Sequence, residues 1–163
     1  MKMKDDAPGE EEFVALKRRF DQELTNGQRA ELRRSRDPES LALLPGYYRV
    51  LGEGVAADVR WARTVFLLPH VRQRDGDLRL GALLSGARVS EMRLFQMVRS
   101  GYPEDILHLR RLCRHIEPAL DWRQMGRMLY YWGPKAKRQV VEDFFMPRRQ
   151  AEMTEARMEA HDG

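Results

Sequence analysis

The sequence predicts an all-α protein built as two small helical bundles, about eight helices in all. Three observations carry that expectation. No window alternates apolar and polar residues over four or more positions with β-branched enrichment, as a half-buried strand would. In most segments the apolar residues instead recur at spacings of three and four, the period of one helix face. Proline, glycine and capping residues interrupt these segments at helix-length intervals.

Taken in order, residues 1–9 are polar, contain Pro8-Gly9 and read as a flexible tail. From Glu10, the positions Phe13, Leu16, Phe20 and Leu24 mark an amphipathic helix stopped at Asn26-Gly27. A short helix follows with Ala30 and Leu32 inward and Arg29, Arg33 and Arg34 outward. Asp37-Pro38-Glu39 reads as an N-cap with proline at the first helical position, opening a helix that Pro45 interrupts. Tyr47 to Leu51 extend a further short segment to Gly52. Residues 56–68 form the next helix, with Trp61, Val65 and Leu68 on one side and Pro69 as its end. Residues 70–79 are polar and turn-rich, which makes them the expected linker between a bundle over 10–69 and a second over 80–147. His70 falls in this loop.

In the second bundle, Leu80 to Leu84 form a brief segment before Ser85-Gly86. Ser90 then caps a helix through Arg99, with Met92, Phe95 and Val98 expected in the core. The next helix runs through Ile116 and must end there, because the ring of Pro118 disfavours helical geometry at Glu117. The adjacent Glu104 and Asp105 suit its first turn, where the helix dipole favours negative charge. Ile106, Leu109, Leu112, Cys113 and Ile116 share one side, and Arg110, Arg111 and Arg114 the other. Asp121 restarts the chain as the N-cap of a helix through Trp132, closed by Gly133-Pro134. Its apolar stripe is Trp122, Met125, Met128, Leu129 and Trp132, with Arg123, Arg127 and Tyr130 on the far side. A last helix with Val140, Val141, Phe144 and Phe145 stops at Pro147, and residues 150–163 read as a second flexible tail.

At 163 residues and 42% hydrophobic content the chain can bury a core. Its net charge of +4 conceals an uneven distribution: −2 over residues 1–25, +9 over 26–149 and −3 over 150–163. There are 24 arginines and 5 lysines, and a planar guanidinium suits phosphate better than an ammonium point charge does. Cys113 is the one cysteine, so no intrachain disulfide forms, and its place on an apolar stripe marks a small buried hydrophobe in a reducing cytoplasm. No apolar run approaches 18 residues and no signal peptide is seen, so neither a membrane span nor secretion is expected.

No constellation points to catalysis. The pairs Glu104-Asp105 and Glu142-Asp143 are neighbours, and neighbouring helical positions diverge by about 100°. Nucleophile elbows and Gly-rich phosphate loops are absent. His108 and His115 stand seven apart with no second ligand pair, so neither a metal nor a cofactor is expected. What remains is a basic surface. Arg29, Arg33, Arg34, Arg36 and Arg49 form one cluster; Arg93, Arg99, Arg110, Arg111, Arg114, Arg123 and Arg127 form another; Lys135, Lys137 and Arg138 lie at the start of the last helix. Between Leu107 and Ile116 no acid dilutes the arginines, unlike an ordinary solvated face. Such a surface holds phosphate backbone without reading sequence. Tyr130 is the candidate for stacking on an unpaired base, while Tyr131 is expected in the core.

The run LRRLCRHIEPALDWRQMGRMLYYWG, preceded by SGARVSEMRLFQMVRSG and followed by VVEDFF, closely resembles the CasB family, the small subunit of the type I-E Cascade CRISPR surveillance complex. NGQRAELRRSRDPESLALLPGYYRVL agrees in the first half, and the resemblance spans about residues 10–146. Residues 69–79 and the acidic C-terminal tail depart from the pattern. The resemblance implies a non-catalytic all-α subunit present in two contacting copies, whose partners are the other Cascade subunits, the CRISPR RNA, and the target and non-target DNA strands. It would stabilise the R-loop by holding backbone while guide pairing reads the sequence. A protein-only scaffold, its basic face docking acidic neighbours, is the alternative.

Overall fold

The computed structural model describes residues 7–161, leaving aside the side chains of 148–152 and 161; residues 1–6 and 162–163, parts of the two expected tails, lie outside the described residues. These residues form α1 (Glu10–Gln22), α2 (Asn26–Arg34), a 3-10 turn (Glu39–Leu43), α3 (Pro45–Val50), α4 (Val59–Leu67) and a second 3-10 turn (Leu68–His70). There follow β1 (Arg72–Gln73), α5 (Leu80–Gly86), α6 (Glu91–Arg99), α7 (Glu104–Ile116), β2 (Ala119–Leu120), α8 (Trp122–Tyr130) and α9 (Pro134–His161). The protein is all-α apart from the two-residue strands.

Local chemistry sets the boundaries. Thr25 and Gln28 form a reciprocal capping box, so Asn26-Gly27 opens α2 instead of merely ending α1. The carboxylate of Asp58 accepts the Arg60 and Trp61 amides, starting α4 there and not at residue 56. The Ser90 hydroxyl accepts the Arg93 amide at 3.2 Å and opens α6 as expected. Glu117 leaves α7 in a left-handed conformation (φ 48°) with its amide on the Cys113 carbonyl, an αL exit that ends the helix where Pro118 disfavours its continuation. Asp121 caps α8 through the Arg123 amide.

Four expectations are corrected. Apolar residues at 92, 94, 95, 97 and 98 offer α6 two overlapping stripes, and packing against α7 and α9 selects the one through Leu94 and Met97. Phe95 and Val98 are only half-buried, and Met92 is 76% exposed. His70 and Val71 are buried, and β1 pairs in parallel with β2, Arg72 opposite Ala119 and Gln73 opposite Leu120, so the expected linker is exposed at Arg72 and over residues 74–79 but anchored at its start. Trp122 secures this strap by donating its indole N–H to the Val71 carbonyl at 3.0 Å. Finally, α9 does not stop at Pro147, and the tail expected from residue 150 is helical as far as His161. Proline removes one helical hydrogen bond, but it falls where α9 leaves the core, beside exposed Met146, and the helix continues to His161.

One continuous cluster of buried side chains runs from Phe13 to Phe144, through residues of both 10–69 and 80–147. Two glycines set its closest approaches. Gly126 of α8 lies under Phe13 of α1, where an added Cβ would be 2.5 Å from the ring. Gly81 of α5 lies against the backbone of α9, where a Cβ would be 2.2 Å from the Val140 carbonyl oxygen.

Candidate nucleic-acid interface

Many basic side chains end on the carbonyls that follow a helix, where no further helical N–H is available. Arg29 donates to the Asp21 and Leu24 carbonyls at the end of α1, at 3.2 and 2.6 Å. Arg19 reaches Val50 of α3 at 2.7 Å, and Arg63 reaches Leu129 and Tyr130 of α8. Arg72 donates to Glu117 after α7, at 3.1 Å. Lys17 serves Leu68, past the end of α4, at 2.9 Å, and burial lowers its pKa against the opposing pull of Asp21. These bonds satisfy orphan acceptors and place cations at the negative ends of helix dipoles.

The arginine row of α7 belongs partly to this set. Arg110 donates to the Ser35 carbonyl and, at 3.2 Å, to that of Arg36, while its guanidinium stacks 4.4 Å from the Phe66 ring centre. Arg114, one turn on, donates to Arg33 at 2.7 Å. Burial, with Arg114 and Arg111 nearby, pulls Arg110 down to about 10. The same crowding bears on buried His70, whose Nε2 has no hydrogen-bond partner. Burial and the charges of Arg114, Arg110, Arg33 and Lys17 push it down to about 3.

This junction brings the two sequence clusters together. Arg33 and Arg34 are exposed on the last turn of α2 and Arg36 just beyond it, all fastened to α7 by Arg110 and Arg114. Arg111, Arg114 and Arg93 then line an open groove of about 550 Å³ between α6 and α7, with Gln96, His108 and His115. No described ion pair engages Arg33, Arg34, Arg36, Arg93 or Arg111. Gln96, His108 and His115 join the groove unforeseen. The spacing of seven between the histidines puts them on one side of α7, which is the signal that could have found them.

Other candidates lie apart from this surface. Arg123 is held by Glu11 at 2.7 Å, Asp121 at 3.2 Å and Asp75 at 3.5 Å, and the Glu11 bond, helped by Asp121, raises its pKa. Lys137 points inward: its ammonium meets buried Asp105 at 2.8 Å and the Ser100 carbonyl at 2.8 Å. Asp105 also accepts the Trp132 indole N–H at 2.9 Å, so it is a buried hub and more than an acidic first-turn residue. Arg127 stands 3.6 Å from Glu10, and with Lys135 it lines a second groove of about 850 Å³ that Glu10, Asp77 and Asp143 make mixed in sign. Arg49 and Arg138 are exposed, as is Arg99, whose guanidinium lies 4.9 Å from the Phe95 ring centre. The tyrosines exchange the places expected of them. Tyr130 is buried against Phe13 and Trp61 because α1 and α4 cover that face of α8, and Tyr131, past the helix end, is 47% exposed.

Among the described residues no helix is long and apolar enough to cross a membrane. No family model matches the chain. The CRISPR system Cascade subunit CasB of Escherichia coli (strain K12) is 36% identical over 140 residues, covering 77% of this chain and 88% of that protein. A crystal structure of E. coli Cascade bound to a PAM-containing dsDNA target contains a chain that superposes with a TM-score of 0.77 at 36% identity. The match covers 84% of this chain and 96% of that one.

Proposed function

Because the chain belongs to the CasB family of Cascade subunits, we propose that it acts within that complex as a non-catalytic holder of nucleic-acid backbone. It stabilises the R-loop by engaging the target and displaced DNA strands without reading their sequence. In this reading the chain works beside the CRISPR RNA and the other subunits, with a second copy of itself alongside. The observation that carries it is the surface where the end of α2 meets α7. Arg33, Arg34 and Arg36 stand there, Arg114 continues the surface into the α6–α7 groove with Arg111 and Arg93, and no described ion pair engages Arg33, Arg34, Arg36, Arg93 or Arg111. Phosphates spaced along a strand could neutralise these charges, and the released counterions would drive binding.

The test is filter binding of the full chain to single- and double-stranded nucleic acid of two unrelated sequences, at about 50 and 200 mM salt. Affinity is expected to fall steeply with salt and to be alike for both sequences. Reversing Arg33 and Arg111 to Glu should lower it and flatten the salt dependence, by about 0.7 in slope for each lost contact to a single strand. Reversing Arg123, already paired with acids, should do far less. A flat salt response would instead favour the protein-only scaffold, in which the basic face meets acidic neighbours.

A further inference from the structure

Arg110, Arg111 and Arg114 look interchangeable in sequence, yet the fold gives them different work. Arg110 and Arg114 are four positions apart and lie on one row of α7. Both guanidinium groups donate to the exit of α2: Arg110 to the Ser35 and Arg36 carbonyls, Arg114 to that of Arg33. Ser35 is buried, and its own hydroxyl turns back to the Leu32 carbonyl at 2.9 Å. The Arg110 plane also covers Phe66, which is fully buried. Moving that side chain to a phosphate would strip the cover from Phe66 and take the donor from the carbonyl of buried Ser35. Arg111, one residue on and turned by about 100°, is exposed and faces the α6–α7 groove.

We propose that Arg110 and Arg114 are positioning residues: they fasten the end of α2 to α7, and so set Arg33, Arg34 and Arg36 beside Arg111, which with them meets the phosphates. This rests on the nucleic-acid reading above. Arg110 is the stricter of the two, because its planar fork bonds two carbonyls while its plane covers the Phe66 ring, a combined geometry that a compact ammonium does not reproduce. Arg114 makes a single bond, which a lysine can replace.

The experiment compares full-length wild type, Arg110→Lys, Arg111→Lys and Arg114→Lys, all of the same net charge. Binding to a labelled single-stranded DNA of about 30 nucleotides is titrated from about 50 to 200 mM salt. Arg110→Lys is expected to weaken binding about tenfold and to reduce the salt slope by about 2, as the α2 arginines lose their alignment although no charge is removed. Arg111→Lys and Arg114→Lys should stay within about threefold of wild type. In the Arg110→Lys background, changing Arg33, Arg34 and Arg36 to Gln should cost much less than in wild type, since their contribution is already lost. Hydrogen exchange of the free proteins gives the readout that needs no ligand: the amides of Ser35 and Arg36 should exchange faster in Arg110→Lys alone.

An Arg110→Lys protein with wild-type affinity and slope, or with unchanged exchange at residues 35 and 36, overturns the proposal. Should wild type show no salt-dependent binding at all, the nucleic-acid reading falls, and exchange still decides whether Arg110 fastens α2.

Discussion

Replacing Gly126 by alanine tests how tightly the α1–α8 seam is packed. The added methyl would lie 2.5–2.6 Å from the Cβ, Cγ and Cδ1 atoms of Phe13. Carbon atoms in contact prefer about 3.5–4.0 Å, so one side must retreat by about 1 Å. Phe13 has little freedom to do so: it is fully buried, with the Trp61 ring centre at 5.6 Å and that of Tyr130 at 6.0 Å. Overpacking of this kind costs about 1–3 kcal/mol, and a backbone shift raises that toward the upper end. Against it stands the helix propensity of alanine over glycine, about 1 kcal/mol in a helix interior. The net expectation is a loss of about 1–2 kcal/mol, or about 2–8 °C in Tm for a chain of this size. Thermal and urea unfolding followed by circular dichroism would measure it. Phe13→Leu should cost stability alone yet shrink the penalty of Gly126→Ala, because it removes the ring atoms that clash. A Gly126→Ala protein as stable as wild type or more so would show that the seam yields, and the reasoning from contact distance would fail.

Two more predictions concern buried polar groups. Asp105→Ala removes the acceptor of both Lys137 and the Trp132 indole, leaving a largely buried ammonium, and should cost about 3–5 kcal/mol; Asp105→Asn, which keeps an acceptor for Trp132, should cost less in the same urea titration. His70 has a folded-state pKa of about 3, below its ordinary 6.5, so the unfolded chain takes up its proton first on acidification. Its contribution is therefore complete above about pH 6.5 and drains as pH falls toward 3, by at most about 1.4 kcal/mol per pH unit. His70→Gln should flatten the stability profile between pH 6.5 and 4, and an unchanged slope would count against this role.

Features decided within a few residues were legible in the sequence. Ser90 and Asp121 cap helices through amides two or three positions ahead, and Pro118 restricts the residue before it. The stripe of α7 survives because its apolar and charged faces are unambiguous, with Ile106, Leu109, Leu112 and Cys113 all buried. Where apolar residues crowd both sides, as in α6 or at Tyr130-Tyr131, local pattern cannot say which face a neighbour will cover. Nothing in the local sequence marks Gly81 or Gly126, and only the approach of α9 and α1 accounts for them.

The arginines show the same limit more sharply. A guanidinium is spent by its partner, and the partners here are carbonyls 74 and 75 positions away for Arg110, 81 for Arg114 and 66 or 67 for Arg63. Nothing in the local sequence of α7 separates Arg111 from its neighbours. Net charge counts all of these alike, so it overstates what a polyanion can neutralise. The internal arginines nevertheless serve the surface. Each orphan carbonyl they satisfy fixes the end of a helix, and at α2 that end carries Arg33, Arg34 and, just beyond, Arg36. The fold thus divides its positive charge between side chains that hold a helix terminus in place and side chains that the terminus presents to solvent. Lysines share the first task, as Lys17 does at Leu68 and Lys137 at Ser100, but the paired bonds of Arg110 combined with its cover over Phe66 suit the planar fork.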